Sequence, residues 1–224
     1  MKALRIILSL LVLLAVLPFS AFAEEKASIL YFSDDVDYDH WAFVEIDDFL
    51  SADIISGSVS YDEDGYPTVN VNPQGQITRA QFTKMIVNAL NLQLNGSAKA
   101  FPDVKTGDWY YEFVQIANSH GIVTGKEDGK FYPNDKINRA QMAAMIYRAF
   151  KYTITFNTVN KTFADVPANH WASEAINKNA ANEIIKGSNN LFKPANLATR
   201  AQAIVMIYRA LHQEDTALPS EADL

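Results

Sequence analysis

The sequence predicts an all-α protein made of three tandem helix-loop-helix repeats. Three observations carry this: residues that recur at fixed offsets, an amphipathic stripe after each recurrence, and a helix-capping signature at the head of each stripe. Trp41, Trp109 and Trp171 are each followed, sixteen residues on, by Gly57, Gly125 or Gly187. An apolar pair precedes each glycine: Ile54-Ile55, Ile122-Val123 or Ile184-Ile185. A proline follows (Pro73, Pro133, Pro194), and six residues beyond it stands Arg79, Arg139 or Arg200. A motif repeated this way marks one supersecondary unit that buries its apolar face only by packing on its copies.

Taken in order, residues 1–23 read as a secretory signal peptide. Lys2 and Arg5 form a basic head, Ile6 to Leu17 an apolar run, and Ala21-Phe22-Ala23 a small-x-small cleavage site. Repeat 1 then spans 24–95, repeat 2 spans 96–155 and repeat 3 spans 156–212, leaving an acidic tail at 213–224. "FSDD", "FPDV" and "FADV" open the repeats at Phe32, Phe101 and Phe163. A first helix is expected from each Trp, with Ile46, Val114 and Ile176 facing inward. Gly57, Gly125 and Gly187 are expected to end it or turn the chain after it, where a positive φ is cheap only for glycine. The interval from glycine to proline is sixteen residues in repeat 1 but eight and seven in the others. The surplus, a long loop at 58–72, is polar and turn-rich and reads as a surface loop.

The second helix of each repeat begins at "ITRAQ", "INRAQ" or "ATRAQ". Thr78, Asn138 and Thr199 suit the N-cap, and Gln81, Gln141 and Gln202 stand at N3, where a side chain reaches back to complete a capping box. The apolar positions that follow (Phe82, Met85, Ile86, Ala89 and Leu90 in repeat 1) fall at i, i+3, i+4, i+7 and i+8, one face of a helix. The methionines read as core filler. The arginine at N1 is anomalous, because it faces the positive end of the macrodipole at a cost of about 0.3–1 kcal/mol. Two readings stand. The arginine pairs with an acid such as Asp103 or Asp165, or it joins free N-terminal amides in binding a carboxylate or phosphate. The tryptophans are likewise either buried staples or sugar-facing rings.

These motifs together resemble the S-layer homology (SLH) repeat, whose signature at the second helix is Thr-Arg-Ala-Glu, and the resemblance covers about residues 30–212. It implies a pseudo-threefold trimer of repeats, with the second helices forming a central three-helix bundle and grooves between neighbours. It further implies that these grooves bind secondary cell-wall polysaccharide, often through a pyruvylated amino sugar whose carboxylate meets the motif arginine. On this basis the candidate glycan-binding residues are Arg79, Arg139 and Arg200, with Trp41, Trp109 and Trp171, Gly57, Gly125 and Gly187, and Gln81, Gln141 and Gln202. The expected role is wall attachment at the cell surface. The alternative is an envelope module that docks other proteins or acts as a spacer. Gln in place of the usual Glu keeps the cap but removes a negative charge from each motif.

Composition narrows the classes. Loss of Lys2 and Arg5 with the signal takes the formal net charge from −7 to −9, a poor match to nucleic acid or anionic membrane. The chain has no cysteine, hence no disulfide and no thiolate metal site. No nucleophile motif or acid/base pair is recognisable, so no enzymatic activity and no cofactor are expected. His40, His120, His170 and His212 are scattered and read as packing or surface residues, and "DEDG" at 62–65 reads as a solvated turn.

Overall fold

The computed structural model describes residues 33–157 and 161–213. The expected signal peptide at 1–23 and all but the first residue of the expected tail at 213–224 lie outside the described residues. The described chain is helical: α1 (Phe43–Ser51), α2 (Arg79–Ala89), α3 (Tyr111–Ser119), α4 (Arg139–Phe150), α5 (Ser173–Ala181) and α6 (Arg200–Leu211). One antiparallel hairpin, β1 (Ser58–Tyr61) and β2 (Pro67–Asn70), replaces the surface loop expected in repeat 1, with Val59 opposite Val69. Alternation in Ser-Val-Ser-Tyr and Thr-Val-Asn-Val is the strand period, and Gly65 at φ +84° makes the turn. Asp62 steadies that turn by accepting the Asp64 and Tyr66 N–H groups. On the other side of β2, the backbone and side chain of Asp34 both pair with Val69.

Each long helix starts as its sequence directs. Thr78, Asn138 and Thr199 accept the N3 amide, while Gln81, Gln141 and Gln202 accept the N-cap amide, so all three capping boxes are complete. α2, α4 and α6 contact one another, and Ile86, Ile146 and Ile207 on them are sealed from solvent. Full burial of such a side chain contributes about 1.5–3 kcal/mol. The short helices pack out of register with their own repeats. α3 lies on α2, α5 on α4 and α1 on α6, so each repeat's first helix covers the preceding repeat's second, and repeat 1 covers repeat 3. Tyr147 Oη to Glu174 and Tyr208 Oη to Asp48, both 2.9 Å, latch two of these pairs.

A backbone circuit follows the same cyclic order just ahead of the long helices. Ile77 N–H donates to Ala198 (3.2 Å), Ala198 N–H to Ile137 (3.0 Å), and Ile137 N–H to Ile77 (3.0 Å). The circuit closes only when all three repeats are present.

The first helices begin two residues after each Trp and end before the motif glycines. The residue that turns the chain in the left-handed region is Asp53, Gly121 or Glu183, with φ of 55°, 69° and 55°. Gly57, Gly125 and Gly187 therefore do not terminate helices, and only Gly125 has a positive φ, +77°. Their shared reason is close approach. A Cβ on Gly57 would stand 2.5 Å from Val69 Cγ1, and one on Gly125 2.7 Å from Phe101 Cε1. At Gly187 it would stand 2.6 Å from the Leu191 carbonyl.

Candidate functional site

The loop before each long helix is pinned by the opening aspartate of its own repeat. Asp103 accepts the Phe131 and Tyr132 amides, and Asp165 those of Phe192 and Lys193. In repeat 1 the corresponding residue is Asp35, not Asp34; it accepts from Val71 and Asn72. Burial pushes the Asp35 and Asp165 carboxyls up, but the hydrogen bonds they accept outweigh it and hold both below the ordinary aspartate value. Asn72, Tyr132 and Lys193, each just before the motif proline, adopt positive φ of 56–60°.

The loop of one repeat then serves the helix of the preceding one. The amides of Arg79, Arg139 and Arg200 donate to Asp135, Asn196 and Gly75, and the next amides donate to Pro133, Pro194 and Pro73. With N3 taken by the cap, the first three amides of each long helix are all engaged. The expectation of free N-terminal amides for an anion is thus corrected. Carbonyls of the next repeat neutralise this helix end, which also explains why an arginine is tolerated there.

The arginine side chains extend along the same loops. Arg79 Nε donates to the Phe131 carbonyl at 2.9 Å, its guanidinium 4.9 Å above the Phe131 ring. Arg139 repeats this on Phe192, at 2.8 and 4.5 Å, and adds Nη2 to Lys186 at 3.0 Å. Arg200 makes the equivalent of that last bond, Nη2 to Ser56 at 2.7 Å, but its buried Nε has no partner. The matching loop residue is Val71, which offers no ring. Asp103 and Asp165 are occupied with backbone amides, and among the described residues no carboxylate lies within 4 Å of any of these guanidinium groups. Burial pushes all three below the ordinary arginine value; for Arg79 the fields of Asp135 and Asp103 partly offset this, while Arg148 adds to it. Three cations are thus largely desolvated with nearby acids but no carboxylate in contact, an arrangement that favours anything bringing negative charge to them.

Two open grooves receive two of them, Arg200 and Arg79. One, of about 400 Å³, is lined by Arg200, Gly57, Gln81, Lys84, Met85 and Trp109, with the hairpin as a wall. The other, of about 760 Å³, is lined by Arg79, Gly125, Gln141, Met145, Arg148 and Trp171. Each set draws arginine from one repeat, glycine and glutamine from the next, and tryptophan from the one after. The arginine and glutamine of one motif therefore face different grooves. Arg139, bonded beside Gly187, belongs by the same order with Gln202 and Trp41 at the third interface. Trp41, Trp109 and Trp171 are 56%, 55% and 63% exposed, which excludes the buried-staple reading. Lys84 and Arg148 were not singled out in the sequence. Their signal was helical spacing from Gln81 and Gln141, at i+3 and i+7.

Among the described residues the site is thus a pair of open clefts between repeats, each presenting an exposed indole beside a cation lacking a carboxylate within 4 Å. It defines a helical-repeat binding module. Residues 100–143 and 162–204, within repeats 2 and 3, match the family model described as the S-layer homology domain. The chain is 31% identical to an endoglucanase of Bacillus sp. (strain KSM-635), over 98% of this chain and 24% of the relative. It is 29% identical to the S-layer protein sap of Bacillus anthracis, over 81% of this chain and 21% of the relative. A cellulosome-anchoring protein of Acetivibrio thermocellus is 28% identical over 66% and 35%. The chain thus spans about a quarter of the first of these relatives.

Proposed function

We propose that this protein attaches non-covalently to the bacterial cell wall by taking acidic secondary wall polysaccharide, pyruvylated on its amino sugars, into the grooves between repeats. Its place is the cell surface, and its role is binding without catalysis. The observation that supports the glycan reading best is the pairing, in each described groove, of a desolvated guanidinium lacking a carboxylate within 4 Å with a half-exposed indole. The guanidinium fork suits a ketal carboxylate, and the indole face suits the C–H face of the sugar beside it. Glutamine at N3 spends its oxygen on the cap, which leaves its amide N–H₂ as a neutral donor toward the groove.

The test is retention of the protein on deproteinated wall polysaccharide, before and after mild acid removes ketal-linked pyruvate. Retention should fall sharply after removal, and Arg79→Gln, Arg139→Gln and Arg200→Gln combined should abolish it on untreated glycan. Equal retention on both materials would overturn the pyruvate assignment. Binding only to walls that still carry protein would favour docking to an envelope protein.

A further inference from the structure

The two described grooves are not equivalent, and the difference lies in residues special to repeat 1. The Arg200 groove holds two cations, Arg200 and Lys84, and no carboxylate lines it. The Arg79 groove also holds two arginines, Arg79 and Arg148, but Glu127 and Asp128 are among its lining residues, and its Lys126 is tied to Asp135 at 2.9 Å. The carboxylate that Arg200 feels most is Asp35, whose oxygens are committed to the Val71 and Asn72 amides.

Lys84 is not required by the fold. The same helical position holds Ala144 in repeat 2 and Val205 in repeat 3, both buried. A small apolar residue satisfies the packing there, yet repeat 1 places an ammonium in the groove. Lys84 Nζ has no acid within 4 Å among the described residues and rests 5.4 Å from the centre of the Phe113 ring. Gln81 adds a neutral donor, since its oxygen accepts from Thr78 N–H at 2.9 Å. The hairpin closes one side through Ser58 and Asn70, and the cleft has roughly half the volume of its neighbour.

We propose that the Arg200 groove is a site for a doubly charged group on a single sugar, a phosphate monoester or a pair of carboxylates, and that Lys84 selects the second charge. Arg200 supplies a guanidinium, Lys84 an ammonium and Gln81 a neutral donor, all lining this one groove. This rests on the glycan reading above and refines it for one groove.

The three tryptophans make the test direct, because the indole N–H of Trp109 reports this groove and that of Trp171 the other. The ¹⁵N-labelled full chain is titrated with acetate, malonate and inorganic phosphate at constant ionic strength and mildly alkaline pH. Malonate or phosphate should bind at Trp109 about tenfold more tightly than acetate, the gain from one more charge-assisted contact. The stronger of the two identifies the kind of dianion. In Lys84→Gln the preference should collapse while the Trp171 response stays as it was. Anion binding at Trp109 without a dianion preference, or a preference that survives Lys84→Gln, overturns the proposal and leaves the glycan reading intact. If no anion shifts either indole, the glycan reading itself fails.

Discussion

Arg139→Ala should destabilise the unliganded protein more than Arg200→Ala, although the two arginines stand at equivalent motif positions. Arg139 loses two bonds to carbonyls, Phe192 at 2.8 Å and Lys186 at 3.0 Å, and its seat 4.5 Å above the Phe192 ring. Arg200 loses only the 2.7 Å bond to Ser56, and gives up a buried Nε that was already unpartnered. Both substitutions relieve the desolvation of one guanidinium, so that gain largely cancels in the comparison. What remains is one charge-assisted hydrogen bond, about 1.5 kcal/mol, and one cation–π contact, about 0.5–1 kcal/mol. The difference is therefore about 2 kcal/mol, or roughly 4–8 °C in Tm for a domain of this size. Thermal and urea unfolding followed by the helical circular dichroism signal measures it. Native helix content should match the parent in both variants, since the caps at Asn138 and Thr199 are untouched. Equal losses, or a larger loss for Arg200→Ala, would refute the claim that loop contacts brace Arg139 and leave Arg200 under-held.

Gly187→Ala should cost about 1–3 kcal/mol, because the new Cβ meets the Leu191 carbonyl at 2.6 Å and also the Phe163 ring, and backbone cannot give way as a flexible side chain does; an unchanged urea midpoint would count against the close-approach account. The protein should also lose stability in acid. Asp35 and Asp165 are held below the ordinary aspartate value in the fold, so their contribution is present above the unfolded value and drains away as pH falls below about 4. Asp165→Asn should flatten that dependence, and an unaltered profile of stability against pH would contradict it.

Much of this was legible in the residues. The capping boxes are local: Thr78 and Gln81 are three positions apart, and nothing distant is needed to pair them. The apolar stripes likewise announce three long helices that must meet. The motif glycines stand out in the sequence but the reason for them does not, since the atoms excluding a side chain at Gly187 belong to Phe163 and Leu191, outside the local turn. The hairpin does not announce itself in the sequence, because its strands are four residues each and mostly polar.

By itself the sequence determined the repeat, the helices, their caps and the list of arginines, tryptophans and glutamines, since periodicity and short-range hydrogen bonding act within a few residues. The tertiary structure alone decided which of these share a groove. The first helix of each repeat lies on the preceding repeat's second helix, so Arg200 meets Gly57 and Trp109, and Arg79 meets Gly125 and Trp171. That grouping also settled that the helix-end amides are spent on a neighbour's carbonyls while the guanidiniums find no acid within 4 Å among the described residues. Such long-range pairings depend on how the chain closes on itself, and no local pattern encodes them.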